Sequence, residues 1–386
     1  MDDHIIRDGE AGPVASPQPT PASGAGPRAR RGAPGTAAAD ASLSGAGHAR
    51  RFLVALLAAG AALMLLVGAF NAVVDPYGVI GTHLFPVKSL TDREIKADLV
   101  AKLSKPPEIL IFGSSRAWKL DPAFILQQTG RRAFNAGASG GKTSDAWAFT
   151  NLVHDRFPSA RFDFLWIFDV TELANTKISP GIRNTASLRR YFSWRDLYGG
   201  TASDVGSLFS WGTLRTSIET LRNLKANRAK VETQRKLWSP TGWHIDTKWQ
   251  AKVNRHPPLP SVKFHILEKS AIYRRYRALD PRAKRFFEQT MQKFASWGGR
   301  GLIVIAPSEP RLIAALRPLG YEARYRQVLA YLAAMQKRYD FKVVDMSTVD
   351  KYGGSGRDFM DGVHLRTPGM ERMIKKVLEQ TGGTIP

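Results

Sequence analysis

Residues 108–122 read EILIFGSSRAWKLDP. Four apolar, β-favouring residues, Ile109 to Phe112, run into Gly113 and two serines, and a helical pattern follows near 121–129. A short, continuously apolar run bounded by a turn is the mark of a strand buried on both faces, and such strands belong to parallel sheets. The alternation recurs along the chain. RAFNAG (132–137) precedes SDAWAFTNLVHDRF (144–157), FDFLWIFDV (162–170) is the next run, GLIVIA (301–306) precedes helices near 310–337, and FKVVDM (341–346) precedes a helix from about 367 to 380. The pattern predicts an α/β fold with a parallel five-stranded sheet covered on both faces. Ligands in such sheets gather beyond the carboxyl ends of the strands. Those ends carry GSSR, NAGASGG, DVTE, APSEP and the segment leading to DGVHL.

The whole chain has 386 residues, with 56 Lys and Arg against 33 Asp and Glu and no cysteine. Without cysteine, disulfide scaffolds, thiolate metal sites and cysteine nucleophiles are excluded. Chemistry must come from Ser, His, carboxylates or bases.

Ahead of the sheet the composition changes twice. Residues 1–50 are dominated by Ala, Gly, Pro, Ser and Thr and hold too little apolar surface to offset the entropy of ordering, so they read as a disordered tail. Phe52 to Val74, FLVALLAAGAALMLLVGAFNAVV, has no charge, and its 23 residues make a helix of about 34 Å, enough to cross a hydrocarbon core of ~30 Å. The run is longer than the apolar part of a cleaved signal and follows fifty residues of tail, which favours a retained, single-pass anchor. Arg28, Arg30, Arg31, Arg50 and Arg51 precede it and Asp75 follows. By the positive-inside rule the tail is cytoplasmic and residues 76–386 form an extracytoplasmic domain, periplasmic in a Gram-negative cell.

Between the third and fourth strands, residues 177–295 break the rhythm with 24 Lys and Arg against 8 Asp and Glu. This basic insertion reads either as a solvated surface over one side of the sheet or as a docking face for anions, phospholipid head groups or acidic polymers. Aromatic residues interleaved with the bases would suit nucleic acid in another compartment. Placement outside the cytoplasm argues against that partner.

Three segments carry candidate chemistry. In GSSR a hydroxyl at a strand-to-helix turn is exposed at the top of the sheet, which makes Ser115 the candidate nucleophile. In RDFMDGVHLRTPGM, Asp361 and His364 lie three residues apart, the spacing of a base and the group that orients it. Of the histidines only His364 combines a nearby Asp, a polar Gly-containing loop and the expected end of the sheet; His244, His256 and His265 lie in the basic insertion. Gly137 in NAGASGG reads either as an oxyanion N–H donor beside Ser115's own N–H or as a plain Gly-rich turn. Arg116 reads either as a clamp for an anionic substrate or as a partner of Asp121 or Glu172. No H-E-x-x-H and no tight His/carboxylate cluster beyond Asp361 and His364 is visible, and nucleotide-binding motifs are absent, so no metal and no cofactor is expected.

These segments, in this order, resemble the SGNH (GDSL-type) hydrolase superfamily over residues 108–176 and 300–380. The resemblance implies a flavodoxin-like three-layer sandwich with Ser115 as nucleophile, Asp361-Gly362-Val363-His364 as the D-x-x-H block and Gly137 as an oxyanion glycine. Two departures stand out: Ser114 replaces the family's Asp before the nucleophile, and FDVTELAN replaces the block that supplies an oxyanion Asn, leaving Thr171 or Asn175 as substitutes. With one membrane helix in front, the chain is most similar to the membrane-anchored branch that includes alginate O-acetylation and DltD-like proteins. That implies a serine esterase or O-acyltransferase acting on a cell-surface polysaccharide or other anionic envelope polymer, with a multispanning acyl-transfer partner in the second case. The alternative is a non-catalytic SGNH-like module that binds anionic polymer or scaffolds an envelope complex.

Overall fold

A computed structural model describes residues 37–77, 80, 82, 84–85, 90–174, 178–198, 206, 208–245 and 259–385. Most of the expected tail and Asn175 lie outside the described residues. The chain divides into two compact units, Met1–Gly60 and Ala61–Pro386.

The first long helix, α1 (Ala37–Val74), starts inside the stretch read as tail. Its opening residues AAADAS are rich in alanine, the strongest helix former, so a helix seeded by the apolar run extends backwards through them. Gly47–Val74 is long and apolar enough to cross a membrane, with mean hydropathy 2.5. From Gly47 to Leu66 its residues stay exposed, Phe52 at 70% and Leu66 at 67%, which a core helix of a soluble protein would not show.

In the second unit, α2 (Asp92–Lys102) leads to five strands: β1 (Ile109–Gly113), β2 (Ala133–Asn135), β3 (Asp163–Phe168), β4 (Gly301–Ile305) and β5 (Phe341–Asp345). All pair in parallel in the order β2-β1-β3-β4-β5, the doubly wound order of flavodoxin-like sheets. Alternate strand residues face opposite layers. Leu110, Phe112, Phe164, Trp166, Phe168 and Ile303 join one core with α4 (Thr143–Arg156), α8 (Pro281–Ala295) and α10 (Tyr321–Gln336). Ile109, Ile111, Leu165, Ile167, Leu302 and Val304 join the other with α3 (Pro122–Thr129) and α11 (Thr367–Gln380).

The basic insertion is largely helical where it is described. Among its described residues it contains α5 (Trp211–Arg222), α6 (Leu224–Arg235), α7 (Leu259–Tyr273) and α8, with shorter helices between Pro180 and Tyr198. Helix α8 is a layer of the sandwich itself. Asp280 caps it, Pro281 opens it, and Phe286, Phe287, Met291 and Phe294 turn one buried face to the sheet, while Lys284 and Arg285 stay on the outer side. Its net charge concealed a core helix. The last turns of α1 pack against the insertion: Asn71 Nδ2 donates to the Leu208 carbonyl at 2.6 Å, and Ser217 Oγ donates to Asn71 Oδ1 at 2.7 Å.

Candidate active site

Ser115 comes from the turn that closes β1. Gly113 has φ +146°, and a Cβ there would stand 2.7 Å from the Ile167 carbonyl oxygen of β3, so only glycine fits. The chain leaves the strand at once. Ser114 caps the 3-10 turn Ser115–Lys119, and Ser115 is its first residue. Among the described residues the Ser115 N–H donates to no acceptor, as expected for a donor at a helix start. Because strand order reverses at β1, with β2 on one side and β3 on the other, this turn occupies the crevice where doubly wound sheets hold ligands.

The other half arrives from the loop between β5 and α11. A bridge between Phe359 and Leu365 closes the loop, and the Met360 N–H donates to the His364 carbonyl at 2.8 Å. Asp361 Oδ1 accepts from the N–H groups of Val363 and His364, each at 2.9 Å. Its Oδ2 accepts from His364 Nδ1 at 2.8 Å. With that proton on Nδ1, Nε2 is the basic nitrogen, and Ser115 Oγ lies 2.7 Å from it. Burial by itself would raise the Asp361 carboxyl, but the hydrogen bond and charge of His364, with the two backbone donors, outweigh it and hold the group at about 2. Ser115 and His364 are both partly exposed, so the Ser115 hydroxyl is reachable.

The remaining sequence candidates have other occupations. The Gly137 N–H donates to Asn135 Oδ1 at 2.9 Å, and its carbonyl accepts from Lys96 Nζ. The N–H and hydroxyl of Thr171 both donate to Asp169 Oδ1 at 2.7 Å. Arg116 pairs with Asp169 rather than Asp121 or Glu172: Nε lies 2.6 Å from Asp169 Oδ2, and its other nitrogens donate to the Pro307 carbonyl at 2.6 Å and Ser308 Oγ at 3.0 Å. Arg116 and Asp169 are both buried, and although burial opposes it, Arg116 holds the Asp169 carboxyl far below the ordinary carboxylate range. The guanidinium thus ties the turn that carries Ser115 to the ends of β3 and β4.

Two further residues stand near the site: Lys96, not singled out in the sequence, and His265, set aside there. Lys96 is wholly buried, donates to Asn135 Oδ1 at 3.2 Å as well as to the Gly137 carbonyl, and stands 4.7 Å from the centre of the Trp238 ring. Burial lowers its pKa to about 7, with Asp92 opposing the shift. Asn135 in turn donates to the carbonyls of Ala117 and Leu120, so this network braces the turn that carries Ser115. His265, on α7, packs edge-on to His364 with ring centres 5.6 Å apart, and its Nδ1 lies 3.8 Å from Asp361 Oδ1. Gly362 admits it, since a Cβ there would stand 2.8 Å from the His265 Cβ. His265, Asp361 and His364 each bring a ligand atom within 4.8 Å of the others, which corrects the expectation of no cluster beyond Asp361 and His364. Two imidazoles and a carboxylate suit zinc by donor type, yet a metal there would take the atoms that join His364 to Asp361.

No family model matches this chain, and no curated protein matches it.

Proposed function

We propose that this chain is a membrane-anchored serine esterase or O-acyltransferase of SGNH type, acting outside the cytoplasm on a cell-surface polysaccharide or another anionic envelope polymer. The observation that carries the reading is the unbroken hydrogen-bonded line from Asp361 through His364 to Ser115. In the reaction His364 Nε2 takes the Ser115 proton as Oγ attacks an ester carbonyl. Asp361 keeps the ring in the required tautomer and stabilises the imidazolium. The Ser115 N–H faces the developing oxyanion, and His364 then returns its proton to the departing alkoxide. Water as the second acceptor gives an esterase, and a sugar hydroxyl gives a transferase, with a multispanning partner supplying acyl groups.

The alternative, a non-catalytic module that binds anionic polymer or scaffolds an envelope complex, draws on one observation. Gly137 and Thr171, the two expected oxyanion donors besides Ser115, give their hydrogens to Asn135 and Asp169.

Fluorophosphonate labelling of the full chain in detergent tests the proposal. Labelling is expected in the wild type and should fall at least about a hundredfold in Ser115→Ala and His364→Ala. A folded wild type that resists the probe rejects catalysis and leaves polymer binding.

A further inference from the structure

The insertion is bound to the end of the candidate span at a defined height. Gly68, Asn71, Val74 and Asp75 share one buried face of the helix and its exit. A Cβ on Gly68 would stand 2.4 Å from the Phe209 ring, so Phe209 lies alongside that residue. Asn71 holds the Leu208 carbonyl and Ser217, and Tyr77 meets Thr216 Oγ1 at 2.9 Å. At 1.5 Å per residue Gly68 lies about 9 Å below the end of α1, and a core of ~30 Å counted from Phe52 ends near Asn71. By this count Leu208 and Phe209, held to Asn71 and Gly68, meet α1 where a hydrocarbon core would give way to head groups, and Trp211 follows two residues on.

The exposed face of α5 has the matching chemistry. Trp211 is 76% exposed, and Arg215, Ile218 and Arg222 continue its stripe along the helix. The opposite face, Thr213, Thr216, Ser217 and Thr220, is buried against the protein. Across α5 and α6 six Lys and Arg face two Glu. A tryptophan followed along one face by two arginines, of which Arg215 also pairs with Glu219 at 3.1 Å, is the arrangement of an interfacial anchor on anionic lipid.

We propose that the segment Leu208–Arg222 is a second membrane contact, an interfacial anchor for anionic phospholipid that holds the insertion against the bilayer crossed by α1. The inference rests on α1 being a span. The absence of cysteine permits single-cysteine probes in the full chain. Trp211→Cys, Leu63→Cys and Lys337→Cys would each carry an environment-sensitive fluorophore, in vesicles of phosphatidylcholine and phosphatidylglycerol containing lipids spin-labelled either high on the acyl chain or near its end. The probe at 211 should lose about half its emission to the shallow label and little to the deep one, and less when phosphatidylglycerol is omitted. The probe at 63 should respond to the deep label, and that at 337, on the polar end of α10, to neither. Quenching at 63 without quenching at 211 overturns the anchor alone. No quenching at 63 overturns the span and the anchor with it.

Discussion

The Asp361 carboxylate accepts two backbone N–H groups and the His364 ring N–H, and these bonds exist only in the folded loop. Its folded pKa is about 2, against ~3.9 for an unfolded chain. A depressed carboxylate contributes its stability above the unfolded value and loses it as pH falls towards the folded one. Asp361→Asn should therefore cost about 2 kcal/mol near pH 6, and the gap to wild type should close between about pH 4 and pH 2. Urea unfolding of both proteins across that range checks it, and a gap that persists at pH 2 would mean the cost comes from lost loop packing. The variant should also lose labelling of Ser115, because an amide can hold His364 in the wrong tautomer.

At the scale of elements, the decisive piece is α8. Phe287 is fully buried between layers, with ring centres 5.5 Å from Trp166, 6.2 Å from Phe168 and 6.1 Å from Phe341. Phe287→Ala should destabilise the domain by about 3–5 kcal/mol, measured by chemical denaturation. A loss below about 1 kcal/mol would return the helix to the surface role its charge suggested. The five strands were legible because each is a short apolar run with a turn behind it, and those runs needed no knowledge of partners. That Ser115, Asp361 and His364 come together was legible for a related reason: each sits at a strand end or in a compact Asp-x-x-His loop. What stayed hidden depended on distant pairing. Arg116 lies 53 positions before Asp169, and the deeply buried Lys96 meets Asn135 from a separate helix. Helix α8 was hidden differently, since counting charge over 177–295 averaged a basic outer face with an aromatic inner one whose spacing was on the page.

Across the whole molecule, the end of α1 belongs to the folded unit rather than serving as a free tether. Residues from Ala61 onward group with the unit that holds the sheet. The Asn71 amide fills both the Leu208 carbonyl and the Ser217 hydroxyl, all of them buried. Asp75, at φ +45°, takes a backbone conformation rare outside glycine, and its carboxylate accepts from the N–H groups of Ile80 and Thr82 at 3.2 Å each. A positive φ in a non-glycine residue persists only where surrounding contacts over-determine it. A chain starting at Pro76 would keep the triad, since its loops make no hydrogen bond to residues 61–75 among the described residues. It would leave Ser217 without its acceptor and the Leu208 carbonyl without its donor, at roughly 1–3 kcal/mol for each buried group stranded. In one detergent, thermal unfolding of the shortened chain should therefore come several degrees below that of the full chain, with Ser115 still labelled at low temperature. Equal melting would show that the insertion stands without the span, and loss of labelling would show that the span reaches the site.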